Sequence, residues 1–506
     1  MQMPPKERLF SNLPFLTFLI AVSLYLFFSE YTLHHFPLDD AWIHRVYSRS
    51  FAFGHGLSYN AGSQEAGSTS PLWSIVTSPA EWFAYLCSTS PVLGTKVIGV
   101  LFGALVLHLI IQIGILINLP RSVPIITAIL FSVEPGFLFS VLSGMETVLV
   151  LLLWLLMVLL LLREKFLYSA LVAGFLVPTR PEAILCVPFL LTAIFLRMWG
   201  QHRIGSFCIA VLLSIVPGAV WGSFCRFSNG HWLPNTFYAK ATSFSFSGEK
   251  ISLTLEILTQ AGYLSLPGVG FMLFLLANYW LLTGKNKNNL YISLFFCFVP
   301  LLYAFCVVMS RHIDASGYYW TRWIDPGTLL ITMTVCAALA YSIFLIPKIR
   351  ERQKPSIIGS IILVAVFVLM SNKLYGSFRE RRQRLSSDAK VIYKMNERVG
   401  EWLAHTTPAS SIVGANDAGA IKYLSNRMII DVLGLNNHER LFNFKTMGEL
   451  IREMQWLVVF PILLENSAFK NEFEPVEIFQ VAPEEYTLCH CPGQQQVMVY
   501  RKVVGN

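Results

Sequence analysis

Charge is what this sequence has least of. Asp, Glu, Lys and Arg make up 13% of its 506 residues, against roughly 25% in soluble chains. That excludes the two or three soluble domains which the length alone would allow. The nine cysteines form no metal or redox pattern. Cys87, Cys186, Cys208, Cys297, Cys306 and Cys336 lie in apolar runs, where Cys acts as a small hydrophobe, and Cys225 ends such a run. Cys489-His490-Cys491 has no second pair to complete a zinc set, so it reads as ordinary strand. A Gly-rich phosphate loop, an internal repeat and low-complexity tracts are all missing. The net charge of +8 sits largely in short connections, a topology signal rather than a nucleic-acid patch.

What fills the sequence instead is apolar. It is 54% hydrophobic, with 38 Phe, 19 Tyr and 12 Trp, the composition of a polytopic membrane protein. Crossing hydrocarbon takes about 20 residues. Runs of that character lie near 13–31, 96–118, 123–141, 147–162, 166–179, 182–198, 204–224, 262–283, 289–309, 326–346 and 356–371. The first follows Lys6 and Arg8 like a signal peptide but lacks a small-residue cleavage site, so a retained helix is expected. Residues 71–88, with Pro79, Glu81 and two Trp, either cross or lie along the interface.

Cationic loops favour the cytoplasmic side. Lys6/Arg8, Arg121, Arg163/Lys165, Arg197/Arg203, Lys285/Lys287 and Lys348/Arg350/Arg352/Lys354 share one side if the chain crosses about eleven times and 71–88 does not. The opposite face then receives the first loop (32–70), Ser143–Thr147, Thr179–Glu182, the 225–261 and 310–325 loops and the whole C-terminal region. The motif-like loops thus collect on one face without having been used to choose it.

From residue 373 the composition changes. Residues 378–384 carry five charges, and 388–405 reads as an amphipathic helix with Val391, Met395, Val399 and Leu403 on one face. Strand-like runs follow at 411–414, 427–432, 456–460, 475–481 and 496–503. The expected fold is therefore a polytopic α-helical membrane domain over 1–372, with about 11 transmembrane helices. A soluble α/β domain over 373–506 follows, large enough for its own core.

The sharpest local feature is Pro37-Leu38-Asp39-Asp40-Ala41-Trp42-Ile43-His44, directly after the first apolar run. A charge near hydrocarbon costs roughly 2.5–3.5 kcal/mol on insertion scales, so two adjacent acids at a bilayer rim suggest a functional site. On a helix Asp40 and His44, four apart, share a face. Gly54, Gly56 and Gly67 permit tight turns, and Ser70-Pro71 looks like a cap and first turn of a helix. A compact solvated loop with one capped interfacial helix accounts for the same residues.

These blocks carry a resemblance. Asp39-Asp40-Ala41-Trp42-Ile43, Arg49, Gly54-His55-Gly56-Leu57, Asn60 and Ala66-Gly67-Ser68-Thr69-Ser70-Pro71-Leu72-Trp73 resemble the first extracytoplasmic loop of GT-C-type glycosyltransferases. Their nearest kin would be bacterial polytopic enzymes similar to the mycobacterial terminal arabinofuranosyltransferase. The resemblance continues with Ser143-Gly144-Met145-Glu146-Thr147, Arg180-Pro181-Glu182, Leu233 to Lys240, Tyr319-Trp320-Thr321-Arg322 and Asn416 to Ala420. It departs at Asp314-Ala315-Ser316-Gly317-Tyr318, where a Gly-Gly-Asp-like stretch would stand, so it does not carry substrate identity.

The resemblance implies transfer of a sugar from a polyprenyl-phosphate donor to an acceptor hydroxyl on the outer face of the membrane. A hydroxyl must lose its proton in the transition state, and a placed carboxylate contributes roughly 10²–10⁴-fold by taking it. Asp39 is the expected base and Asp40 its partner, the reverse order staying open. Lys240, Arg180 and Arg322 are candidates to neutralise the leaving phosphate, although loop cations commonly just snorkel. Glu146 and Glu182 either cap their helices or balance a cation. His44, Asn235 and Tyr238 complete the substrate-binding set, His44 as a hydrogen-bonding neighbour. Some GT-C enzymes hold a divalent metal with acids of this loop. Too few oxygen ligands converge here to assign one, so no cofactor is expected.

The expected partners are the lipid-linked donor, a glycan or other hydroxyl acceptor and the bilayer, with no nucleic acid. The expected place is a bacterial inner membrane, with the active face and C-terminal domain extracytoplasmic. A transporter or flippase of lipid-linked sugars is the alternative; it would put ionisable groups at mid-membrane or at inverted repeats, whereas here they gather at one rim. A non-catalytic envelope scaffold would need only the soluble domain. Asp417 and Asp431 there suit either acceptor binding or turn and cap roles.

Overall fold

The computed structural model describes residues 5–199, 204–240, 247–260, 288–310, 322–352, 357–488 and 493–503. The expected span at 262–283, the Asp314–Tyr318 departure and Cys489-His490-Cys491 lie outside the described residues. The fold is mostly helical, with a mixed β-sheet domain at the C-terminal end.

The described residues hold five helices long and apolar enough to cross a membrane, or up to seven if each bent pair is one span. The five are Pro91–Leu116, Pro181–Trp199, Ile204–Asn229, Asn288–Ser310 and Asp325–Phe344. Of the other expected runs, 262–283 lies outside the described residues, and two form shorter helices. Thr147–Leu162 and Phe166–Thr179 are apolar helices of 16 and 14 residues, shorter than the ~20 residues a crossing takes. The ambiguous 71–88 segment forms two short helices, Pro71–Val76 and Pro79–Cys87, interrupted just before Pro79 and too short to cross. Trp82, Phe83, Tyr85 and Leu86 are exposed on it while Glu81 is buried, as on a helix lying at an interface.

Near Leu26 the first helix ends, and the chain turns through 112° between Asn12–Leu26 and Glu30–Ala52. Ser29 fixes the turn. Its hydroxyl accepts from the Thr32 amide at 3.3 Å, and Thr32 Oγ1 accepts from the Ser29 amide at 3.2 Å, a reciprocal cap that satisfies two orphan donors. After it the chain enters the helix Asp39–Ala52, with both acids in its first turn, where the helix dipole favours negative charge.

The C-terminal sheet has five strands: β1 (Ile412–Ala415), β2 (Met428–Asp431), β3 (Trp456–Val459), β4 (Phe473–Gln480) and β5 (Gln496–Lys502). Their order is β2-β1-β3-β5-β4, with β1 parallel to β2 and β3, and β5 antiparallel to β3 and β4. One face packs on Leu450, Ile451 and Met454. The other packs on Val391, Met395, Val399 and Leu403, the stripe that the amphipathic pattern predicts. That second core also takes in Ile43, Val46, Tyr47 and Tyr59 from the first loop. The helix Ile357–Ile392 runs unbroken from its apolar start through residue 373 and into this domain.

Polar contacts seal the junction. Asn60 pairs with Ile429 like a short strand edge, donating to its carbonyl at 2.8 Å and accepting from its amide at 3.1 Å. Tyr59 donates to the Ala418 carbonyl at 2.5 Å, and Arg49 to that of Tyr423 at 2.9 Å. Gly419 is needed for this close approach, since a Cβ there would clash with the Asp39 carbonyl oxygen. Gly419→Ala is therefore expected to destabilise the junction by about 1–3 kcal/mol through overpacking. Gly205→Ala, which faces open space, should not. Thermal unfolding of the two variants in detergent checks this; equal midpoints would refute it.

Candidate functional site

Consecutive residues of a helix point about 100° apart, and the first turn of Asp39–Ala52 uses this to serve two places. Asp39 faces the sheet domain: its two carboxylate oxygens accept from the amides of Gly419 at 2.7 Å and Ala420 at 2.8 Å. Asp40 faces a hollow with roughly 550 Å³ of empty space that opens to solvent. There Arg322 donates to Asp40 Oδ2, and Lys240 Nζ lies 3.3 Å from the same oxygen. The Trp323 ring backs both cations, 4.6 Å from the Arg322 guanidinium carbon and 5.9 Å from Lys240 Nζ, a contact that favours positive charge.

The far wall comes from three other loops. Gly144, at φ +78°, turns the chain so that Met145 and Glu146 face the hollow, and its carbonyl accepts from Trp73 Nε1 at 2.8 Å. Arg180 donates to Glu146 Oε1, while His44 Nε2 lies 3.4 Å from Glu146 Oε2. Arg180 Nε also lies 3.7 Å from Glu182. Acids and bases therefore alternate around the cavity, as buried charges must if they are to stay ionised.

Burial alone would raise the Asp40 carboxyl, but Lys240, Arg322 and His44 outweigh it and hold it well below the usual range. Glu146 behaves alike: burial opposes, Arg180 and His44 prevail, and its carboxyl falls to about 2. Asp39 goes the other way. Burial and the nearby Asp417 carboxylate raise it against the pull of the two amides, and Asp417 is itself raised, chiefly by burial.

Of the residues singled out by sequence, Asp40, His44, Glu146, Arg180, Glu182, Lys240 and Arg322 line the hollow together. Asp39, Asn235 and Tyr238 do not. Asn235 is buried and ties its loop in place, and Tyr238 packs edge-on against Phe442 at 5.5 Å. Ser70 differs from its expected capping role. Its hydroxyl donates instead to the Thr179 carbonyl at 2.6 Å, which fastens the Thr69-Ser70 wall to the Arg180 loop; Pro71 does begin the helix. Asp431 accepts from the amides of Leu433, Gly434 and Asn436, a turn role. Thr236 also lines the hollow, its buried hydroxyl without a hydrogen-bond partner among the described residues. Its place in the 233–240 block was the available signal. No group of three or more His, Cys, Asp or Glu side chains suited to a metal occurs among the described residues.

The fold is that of known GT-C glycosyltransferases. The crystal structure of ArnT from Cupriavidus metallidurans bound to undecaprenyl phosphate superposes with a TM-score of 0.61 at 14% identity, covering 97% of each chain. The archaeal oligosaccharyltransferase AglB from Archaeoglobus fulgidus, in complex with an inhibitory peptide and a dolichol-phosphate, does so at 0.56 and 11% identity. That match covers 95% of this chain and 74% of that one. Residues 382–500 match the family described as Domain of unknown function (DUF8728). No curated protein matches by sequence.

The raised acids predict a pH effect at the junction. An acid raised on folding adds stability that is full below its unfolded value, near 4, and lost as pH climbs through the folded one. Stability should accordingly decline from the ordinary carboxylate range upward through neutral pH. Asp417→Asn, which removes the like charge beside Asp39, should flatten that decline and raise the unfolding midpoint at pH 8 by about 2–4 °C. Midpoints of both proteins across pH 4–9 check this, and parallel curves would refute it.

Proposed function

We propose that this chain is an inverting glycosyltransferase that moves a sugar from a polyprenyl-phosphate donor to an acceptor hydroxyl. It would work at the extracytoplasmic face of a bacterial inner membrane. The observation that carries the reading is Asp40, held between Lys240 and Arg322 in a hollow at the end of the apolar helices. Lipid phosphates bound by the structural relatives support the donor class. The cation-rich loops grouped on the opposite face by sequence support the orientation.

With the donor absent, Lys240 and Arg322 neutralise Asp40. An arriving lipid phosphate offers the same two cations a stronger oxygen cluster, and Arg180, already engaged by Glu146, stands across the cavity. As the cations turn to phosphate, the Asp40 carboxylate loses the partners that depress it and becomes the stronger base. The acceptor oxygen attacks the anomeric carbon, its proton passes to Asp40, and the C1–O bond breaks with its electron pair leaving on the polyprenyl phosphate. Lys240 and Arg322 stabilise the charge that develops there. One displacement without a covalent intermediate inverts the anomeric centre.

This reverses the order expected from sequence, since Asp39 is occupied by Gly419 and Ala420. Asp39 is the positioning residue. Asp40→Asn should lower transfer from a labelled polyprenyl-phosphate sugar in membranes by about 10²–10⁴-fold. Lys240→Met should chiefly raise the KM for donor, and Asp39→Asn should cost less than Asp40→Asn. Full activity in Asp40→Asn would sink the assignment. Movement of the sugar lipid across acceptor-free liposomes would replace the enzyme with a flippase.

A further inference from the structure

Lys240 reaches Asp40 from a helix, Asn235–Lys240, that has only six residues. Isolated helices shorter than about 12–15 residues are marginal in water, so this one must be held by what surrounds it. Its N-terminal end is fixed at three points. The Asn235 amide donates to the Ala66 carbonyl at 2.8 Å, and Asn229 Nδ2 donates to Asn235 Oδ1 at 2.6 Å. Asn235 Nδ2 donates to Glu65 Oε2 at 3.3 Å.

Glu65 is itself buried, with 6% of its surface exposed, and its carboxylate reaches further. Oε1 lies 2.8 Å from His438 Nδ1, and Oε2 accepts from the His438 amide at 3.3 Å. The hydrogen bond that His438 donates to Glu65 raises the imidazole above its ordinary range against burial; Glu439 adds to the rise and Lys445 opposes it. One carboxylate thus joins the first loop, the loop before Lys240 and the sheet domain, positions 65, 235 and 438 in sequence. A ring contact runs beside it. Phe442 stacks on His231 at 3.9 Å and meets Tyr238 edge-on at 5.5 Å, gripping the helix from the sheet-domain side.

We infer that Glu65 and His438 are positioning residues that present Lys240 to the donor's phosphate, so that the sheet domain governs affinity for the lipid without touching it. This rests on the reading of the hollow given above. A carboxylate withdrawn into the protein and satisfied by donors from two other segments costs desolvation, and its hydrogen bonds hold those segments to one another. The lysine's long flexible stem gains most from a fixed base.

The test uses the full-length protein and undecaprenyl phosphate as probe, with its dissociation constant as readout. Lys240→Met tests the hollow; Glu65→Ala, His438→Ala and His438→Asn test the clasp. The Asn amide nitrogen takes the place of Nδ1 and can still donate to Glu65. Lys240→Met, Glu65→Ala and His438→Ala should each weaken binding about tenfold, the worth of one charge-assisted hydrogen bond. His438→Asn should bind within about twofold of the wild type. Wild-type affinity in Glu65→Ala and His438→Ala alongside a weakened Lys240→Met would overturn the clasp alone. Equal loss in His438→Asn and His438→Ala would also overturn it, pointing to bulk packing. Unchanged binding in Lys240→Met would overturn the reading of the hollow and the clasp together. Should Glu65→Ala fail to fold, judged by size exclusion, the two His438 variants decide the matter.

Discussion

The arrangement depends on a hydrophobic core shared by two parts of the chain that the sequence keeps more than 300 residues apart. Ile43, Val46 and Tyr47 of the first loop's helix are buried with Val391, Met395, Val399 and the sheet residues Val413 and Ile429. Covering that face removes apolar surface from water at roughly 25 cal/mol per Å², and it fixes the helix about its own axis. Once fixed, the helix turns Asp39 to the sheet domain and Asp40 to the cavity. Neither side chain has a choice of direction independent of the other.

Electrostatics follow from that rotation. Asp40, Glu146 and Glu182 meet Lys240, Arg322 and Arg180 in a confined volume at the end of apolar helices. Charges withdrawn from water remain ionised when paired, so Asp40 and Glu146 owe their charge to the cations beside them. On the function proposed above, a phosphate entering this cluster would not find empty positive charge; it would exchange with a carboxylate already in place. That exchange would tie donor binding to the appearance of a base and limit idle proton abstraction before the donor arrives.

Much of this was legible in the sequence. Periodicity placed the amphipathic helix, and four of its residues (Val391, Met395, Val399 and Leu403) form one buried stripe. The five strands fall within a few residues of the expected runs. Charge counting put on one face the loops that carry Asp40, Glu146, Arg180, Lys240 and Arg322, and these residues line one hollow. What stayed hidden was direction and distance. Adjacent acids look equivalent in a string of letters, and only the packing of Ile43 and Val46 separates them. Ser70 followed by Pro71 has the form of a cap, yet its hydroxyl serves a carbonyl of residue 179. Glu65 and His438 lie 373 residues apart, beyond any local pattern.

The helix Ile357–Ile392 has a mechanical consequence. At 36 residues it is roughly 54 Å long, and its apolar start and its sheet-domain end belong to one rod. The π-turn at Tyr393–Glu397 comes only after it has joined the shared core. A rod whose apolar start lay in a bilayer would answer a change in thickness by changing tilt. A change of tilt would swing the sheet domain, and with it the amides that hold Asp39, like a lever pivoting at the lipid surface. On the function proposed above, lipid composition would then reach the site through a single piece of backbone.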